Sequence, residues 1–360
     1  MDKQLALSKR NHGLDILRVL ACYMVIQVHA GEFYYIGNGG MILEGCGPLW
    51  VDIYNSLCRT AVPLFVMLSG YFLLPVKEPM KDFFRRRTVR VVVPFIIWCA
   101  LYAIYQYFRG QADLATTGLN ILKIGINFGV EIGHLWYIYM LIGLYLFAPI
   151  ISPWIANASR KSMQFYLCIW ALSLFVPYIH LIFPEFLGEC FWNHTPLLYY
   201  FSGFLGYMIL AVYIKKYMSQ RKKWHLPVSL LCIIAGYLVT AGGYATRLKT
   251  VILVPDLELT WGFETINVAL MSFGLFLLIK DIRFKNPFSA PVKIITDISK
   301  LSYGIYLIHI MVLNFYFEIF NPVWDSVGLK LPCIAISTFI TSYLLIKLLS
   351  LFPRSKYIIG

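Results

Sequence analysis

Apolar stretches of about twenty residues, separated by short polar connections, recur along the chain. They fall near 14–34, 49–74, 88–108, 134–156, 163–183, 196–214, 226–245, 261–279, 301–320 and 331–351. A helix of ~20 residues rises about 30 Å, the thickness of a bilayer's hydrocarbon core. The pattern therefore predicts an all-α polytopic integral membrane protein of about ten transmembrane helices. No connection is long enough for a separate soluble domain, so residues 1–360 read as one membrane domain.

Composition and charge sharpen this picture. The 360 residues are 59% hydrophobic and only 14% charged, too few polar groups to clothe a soluble fold of that length. A net charge of +13 would suit nucleic acid if it were gathered on a solvated domain, and no such domain is expected. The basic residues lie instead in alternate connections, as in Lys77 to Arg90, Arg160 and Lys161, Lys215 to Lys223, and Lys280 to Lys300. By the positive-inside rule both termini are then cytoplasmic. The first residues lack a short apolar core with a small-residue cleavage site, so the first segment is read as a retained span. Most cysteines fall within apolar segments, while Cys46 and Cys190 lie in predicted external connections, where an oxidising compartment either joins them or leaves them free. No CxxC or HExxH spacing appears, and no metal is expected.

Polar residues inside the spans carry the candidate chemistry. The first span, GLDILRVLACYMVIQVHAG, holds Asp15, Arg18 and His29. An Asp or Arg at the centre of a membrane helix costs roughly 2.5–3.5 kcal/mol on translocon scales, so these groups call for a use or a partner. Arg18 and His29 are eleven residues apart, which places them on one helix face about 16 Å apart along the axis. Steps of three and four through Asp15, Cys22, Val25 and Glu32 complete the stripe, whose plainer reading is a snorkelling Asp15 and Arg18 with an interfacial histidine.

In the second span Asp52, Asn55 and Arg59 share a face, and a buried Arg59 wants either Asp52 or an acid from another helix. Pro63 and the Ser69-Gly70 pair are candidate kinks. The run KDFFRRRTVRVVVP enters the third span. On a helix Arg87 and Arg90, or Arg86 and Arg90, project together, either as an anchor beside anionic lipid or, with Arg18 at the same face, as a site for a phosphorylated cytoplasmic ligand. Glu131 and His134 open the fourth span three residues apart, to tune the imidazole or to cap the helix. Ser302, Tyr306 and His309 share a face of the ninth span, where a lone histidine often only bonds a neighbouring helix. His194 and Glu264 are further polar candidates.

Five of these stretches in order resemble the membrane acyltransferase-three family, integral membrane proteins that acylate extracytoplasmic glycans. They are Arg18 to His29 with ten residues between, Arg87-x-x-Arg90 leading to Pro94, VPLFVMLSGYFLL, HLWYIYMLIGLYLFAP and LSYGIYLIH. The second-span and fourth-span stretches are most similar to the branch containing the O-acetyltransferase of enterobacterial common antigen. The resemblance implies a multi-pass enzyme of the bacterial inner membrane that takes acetyl-CoA or another acyl-CoA from the cytoplasm. It implies that Arg18, Arg86, Arg87 and Arg90 hold the donor's phosphates and that Tyr306 and His309 line its path. His29, oriented by Glu32 or Glu131 and with His134 nearby, then serves as general base or transient acyl carrier. Asp15, Asp52, Asn55, Arg59 and Ser302 are left as structural or channel residues. The expected partners are the lipid bilayer, acyl-CoA and an envelope glycan or glycolipid, with a homo-oligomer also open. The alternative is a secondary transporter that uses the same intramembrane polar groups, although two related halves with interrupted segments are not evident.

Overall fold

Asn11 ends the polar leader by accepting hydrogen bonds through its side chain from the amides of Gly13 and Leu14, at 3.1 and 3.4 Å. That cap satisfies donors a helix start otherwise leaves open, and the helix runs on for 21 residues. The computed structural model describes residues 10–126, 130–190, 195 and 197–360, with 130–132 described by backbone alone. Its helices are α1 (His12–Glu32), α2 (Gly47–Cys58), α3 (Ala61–Leu73), α4 (Met80–Arg87), α5 (Val93–Phe108), α6 (Leu114–Leu122), α7 (Trp136–Asn157) and α8 (Arg160–Ser173). They continue as α9 (Val176–Ile179), α10 (Leu205–Tyr217), α11 (His225–Arg247), α12 (Val254–Leu257), α13 (Ile266–Ile279), α14 (Ala290–Phe320), α15 (Val327–Leu349) and α16 (Lys356–Ile359).

Among the described residues eight helical stretches are long and apolar enough to cross a membrane, counting α2 with α3, α4 with α5 and α8 with α9 as one stretch each. A ninth span is a helix pair, Val254–Trp261 and Ile266–Ile279, bent by 43°. The chain is thus an all-helical polytopic membrane protein, as its hydropathy predicts. The segment expected at 196–214 is shorter than a span. Gly203 has a φ of +87°, which turns the chain, and α10 beyond it has only 13 residues.

Helix α1 is the axis of the bundle, packed against α2, α3, α14 and α15. Leu17, Ala21, Ile26 and Ala30 on it are wholly buried. The second span is broken at Arg59 and Thr60, between α2 and α3. Pro63 accounts for the position of the break, because its ring crowds the carbonyl four residues earlier, that of Arg59, and it has no N–H to offer. Asn55 fastens α2 to α1. Its Nδ2 donates to the Val28 carbonyl at 3.1 Å, and Gly31 leaves room, since a Cβ there would lie 2.2 Å from that nitrogen.

Both described ends of the chain lie at the end of the bundle that carries the arginine run. Trp98 Nε1, at the start of α5, donates to the Ile358 carbonyl of α16 at 2.8 Å. At the opposite end, the loop after α1 folds back on itself, with Ile36 bridging Ile42 and Met41 bridging Leu253.

Away from α1, α3 and α10 approach closely, and a Cβ on Gly70 would lie 2.6 Å from the Met208 backbone. Overpacking of this kind costs about 1–3 kcal/mol. Gly70→Ala is therefore expected to lower the apparent melting temperature in detergent by several degrees, and an unchanged value would contradict the close approach.

Candidate active site

Two cavities lie one above the other along α1, both walled by α1, α3 and α7. The inner one, about 570 Å³ at the basic end, is lined by Arg10, Asp15, Arg18, Ser69, Phe72, Arg87 and Tyr145 among others. Arg10 reaches Asp15 with two hydrogen bonds of 2.5 and 2.7 Å, and Ser299 Oγ donates to the same carboxylate at 2.6 Å. Asp15 is thereby spent. Arg18 has no ion-pair or hydrogen-bond partner among the described residues and lies over the Phe72 ring at 5.4 Å. Arg87 is similarly unpaired. Its guanidinium lies 5.1 Å from the Phe83 ring and 5.6 Å from that of Tyr145, and its buried Nε has no partner. Two uncompensated guanidiniums facing one space make a site for an anion, phosphate above all.

The expected pairing of Arg90 with Arg87 is not what the fold produces. Thr88–Val92 forms a π-helical turn, closed by bonds one residue longer than those of an α-helix, so residues three apart no longer share a face. Arg90 is exposed and is absent from the lining of the inner cavity. Arg86 turns to the neighbouring surface, where it pairs with Glu78.

The outer cavity, about 370 Å³, is lined by His29, Glu32, Tyr35, Arg59, His134, Tyr137, Glu258 and Tyr306, with Phe65, Trp136 and Phe263 among its apolar residues. His29 Nδ1 lies 2.8 Å from Glu32 Oε1, one turn on along α1. The side chain of Glu131, the other candidate partner, lies outside the described residues, as does His194.

Three imidazoles converge here. His29, His134 and His309 have ring centroids 5.2 to 6.2 Å apart. His309 Nδ1 lies 2.5 Å from the Tyr306 carbonyl, while the Nε2 atoms of His309 and His134 are buried without a partner. Tyr306 donates its hydroxyl to the His134 carbonyl and so ties α14 to the start of α7. Tyr102 packs its ring 4.8 Å from that of His134 and donates to the Leu307 carbonyl at 2.9 Å. Tyr137 bridges the two levels: its ring lines the outer cavity, yet it feels the charge of Arg18 below.

Arg59 takes its acid from another helix. Glu258 Oε2 lies 3.9 Å from its NH2, and Nε donates to the Trp261 carbonyl at 2.9 Å. Asp52 instead accepts from Ser56 Oγ at 2.6 Å, and that oxygen accepts from Trp261 Nε1 at 2.9 Å. Glu258 also accepts from the Tyr35 hydroxyl. Burial and the Glu258 carboxylate push the Tyr35 phenol well above its ordinary value, which keeps it a donor. Ser302 donates to the Ser299 carbonyl at 3.0 Å within α14, and Glu264 lies beside Gly203, so neither reaches either cavity. Cys46 and Cys190 are separate free thiols.

Residues that reading of the sequence does not single out are Arg10, Tyr35, Tyr102, Glu258 and Trp261. Arg10 looks like a loop anchor, the tyrosines like interfacial residues, and Glu258 lies before the predicted eighth span. The one signal that could have found Glu258 is the demand of a buried Arg59 for an acid from another helix.

Two unpaired guanidiniums thus lie below a histidine cluster inside a helical membrane bundle. A family model described as an acyltransferase domain matches residues 11–347, and the chain belongs to that family, the membrane acyltransferase-three family. Among curated proteins it is similar to an amino-acid racemase of Enterococcus faecalis, 29% identical over 134 residues, which are 36% of this chain and 18% of that protein. It is also similar to a serine/alanine racemase of Enterococcus gallinarum, 26% identical over 142 residues, 37% of this chain and 18% of the other. The matches thus cover less than a fifth of the length of these relatives. No solved structure matches.

The Arg59 contacts carry a stability prediction. Arg59→Met removes the donor to the Trp261 carbonyl and the neighbour of Glu258, and an unsatisfied buried group costs about 1–3 kcal/mol. The variant is expected to melt several degrees lower; a melting temperature equal to wild type would show that the contact does not hold the two broken spans together.

Proposed function

We propose that the protein is a membrane O-acyltransferase, specifically an O-acetyltransferase, that moves an acyl group from cytoplasmic acyl-CoA to a hydroxyl of an extracytoplasmic envelope glycan or glycolipid. The bacterial inner membrane is its location on this reading, with the basic end of the bundle in the cytoplasm. One observation carries the proposal: unpaired arginines and a carboxylate-bound histidine face two cavities walled by the same three helices, with Arg18 and His29 about 16 Å apart along α1. The lower level suits the pyrophosphate of CoA. The upper suits the reaction, with Phe65, Trp136 and Phe263 as apolar faces against which a sugar ring packs and Arg59, Glu32 and Glu258 as polar groups for its hydroxyls.

In the step we favour, the acceptor's hydroxyl oxygen attacks the thioester carbon and its proton passes to His29. Glu32 faces Nδ1, which leaves Nε2 as the nitrogen that takes the proton. The carbon–sulfur bond breaks, and His29 returns the proton to the departing thiolate. Atoms and charge balance, and an acyl ester and free CoA thiol result. Glu32 acts here as a positioning residue, holding the ring and stabilising the imidazolium. His134 and His309 lie beside that imidazole, with ring centroids 6.2 and 5.3 Å from it.

Loss of a general base costs ~10²–10⁴-fold in rate, so purified His29→Ala protein is expected to lose acyl transfer by that factor while still binding CoA. Arg18→Ala or Arg87→Ala is expected to weaken CoA binding about tenfold or more, a loss of ~1.4 kcal/mol or more. CoA added to wild type should raise its melting temperature. Near-normal turnover of His29→Ala would remove it as the base, and the absence of any CoA-dependent stabilisation would favour the transporter reading instead.

A further inference from the structure

A second basic cavity, about 730 Å³, adjoins the inner one and shares Phe72, Leu73 and Arg87 with it. Lys77, Lys215 and Lys216 line it, together with the Arg86–Glu78 pair. The two consecutive lysines come from the last turn of α10. Each spends one donor on a carbonyl: Lys215 Nζ on that of Tyr71, at 2.6 Å, and Lys216 Nζ on that of Ile155. An ammonium has three N–H groups, so each keeps two for a ligand. Lys77 lies close enough to Lys215 for their charges to oppose one another. The lone carboxylate in the lining, Glu78, is occupied by Arg86. Three ammoniums therefore converge on one space without a counter-charge, an arrangement that is costly empty and favourable around an anion.

Continuity with the inner cavity says which anion. A ligand whose pyrophosphate sits by Arg18 and Arg87 would pass Phe72 and reach these lysines with its far end. Coenzyme A carries there a 3′-phosphomonoester, and a phosphomonoester bears about −1.5 to −2 charge at neutral pH. We propose that the cavity of Lys77, Lys215 and Lys216 is the subsite for the ribose 3′-phosphate of the acyl-CoA donor, and that it makes the protein select CoA over 3′-dephospho-CoA. The inference rests on the acyl-CoA reading of the inner cavity and adds to it a second, separate anchoring point. Lysines serve this end well, since a terminal phosphate is met by point charges, whereas the forked guanidiniums suit the pyrophosphate.

Titration calorimetry of the purified full chain with CoA and with 3′-dephospho-CoA tests it. Wild type is expected to bind CoA at least about tenfold more tightly. In Lys215→Gln/Lys216→Gln, which keeps an N–H donor on each side chain and removes both charges, the ratio should fall towards one because the loss falls on CoA. Retained binding of 3′-dephospho-CoA by that variant shows that it is folded. Equal affinities in wild type, or a ratio unchanged in the variant, would overturn the subsite. So would an unchanged ratio accompanied by loss of stabilisation by phosphatidylglycerol, which would assign the lysines to lipid phosphate. Failure of both nucleotides to bind wild type would overturn the donor reading as a whole, an outcome distinct from a missing preference.

Discussion

A helix that carries Asp15, Arg18 and His29 through an apolar bundle has to be enclosed by protein, because lipid offers these groups neither hydrogen bonds nor counter-charge. The rest of the fold follows from how α1 meets that demand. Asp15 is neutralised by Arg10 and Ser299, His29 is held by Glu32, and Arg18 is left over an aromatic face with its donors turned to a cavity. Asp15 and His29 find partners within the protein and Arg18 does not. On the reading proposed above, Arg18 and Arg87 together are where the donor's pyrophosphate lies.

Two interrupted spans create the upper cavity. Broken backbone is tolerated at membrane depth only where protein supplies the missing partners. Here the breaks serve each other, since Arg59 at the break between α2 and α3 donates to the carbonyl of Trp261, the last residue before the chain bends into α13. Beyond the bend, Asn267 Nδ2 donates to the Thr260 carbonyl and to Thr240 Oγ1, both at 2.7 Å. These side chains stand in for the helical bonds that are absent. The same breaks bring Arg59 and Glu258 to face His29 and Glu32 across one cavity.

At the basic end a local irregularity divides the arginines by task. The π-helical turn after α4 directs Arg87 inward and leaves Arg90 exposed, while Arg86 is tied to Glu78 in the adjoining cavity. A regular α-helix would have presented Arg87 and Arg90 together. The donor's phosphates, on the reading advanced above, are then distributed between guanidiniums near the axis and lysines of α10 at the side.

Sequence alone determined the membrane class, nearly all the spans and the face of α1 on which Arg18 and His29 sit, because hydropathy and the 3.6-residue repeat act over a few turns of one helix. It offered Glu32, three residues on along that helix, and Glu131 alike as partners for His29, and the contact with Glu32 appears only in the structure. The length of α10, the π-helical turn and the choice of Glu258 over Asp52 for Arg59 were settled only in the tertiary structure. So was the gathering of His29, His134 and His309, which come from three helices distant in the chain. Partners of that kind depend on the depth and rotation at which helices pack, and those are fixed by contacts such as Gly31 on Asn55 and Gly70 on Met208, whose two halves lie far apart in sequence.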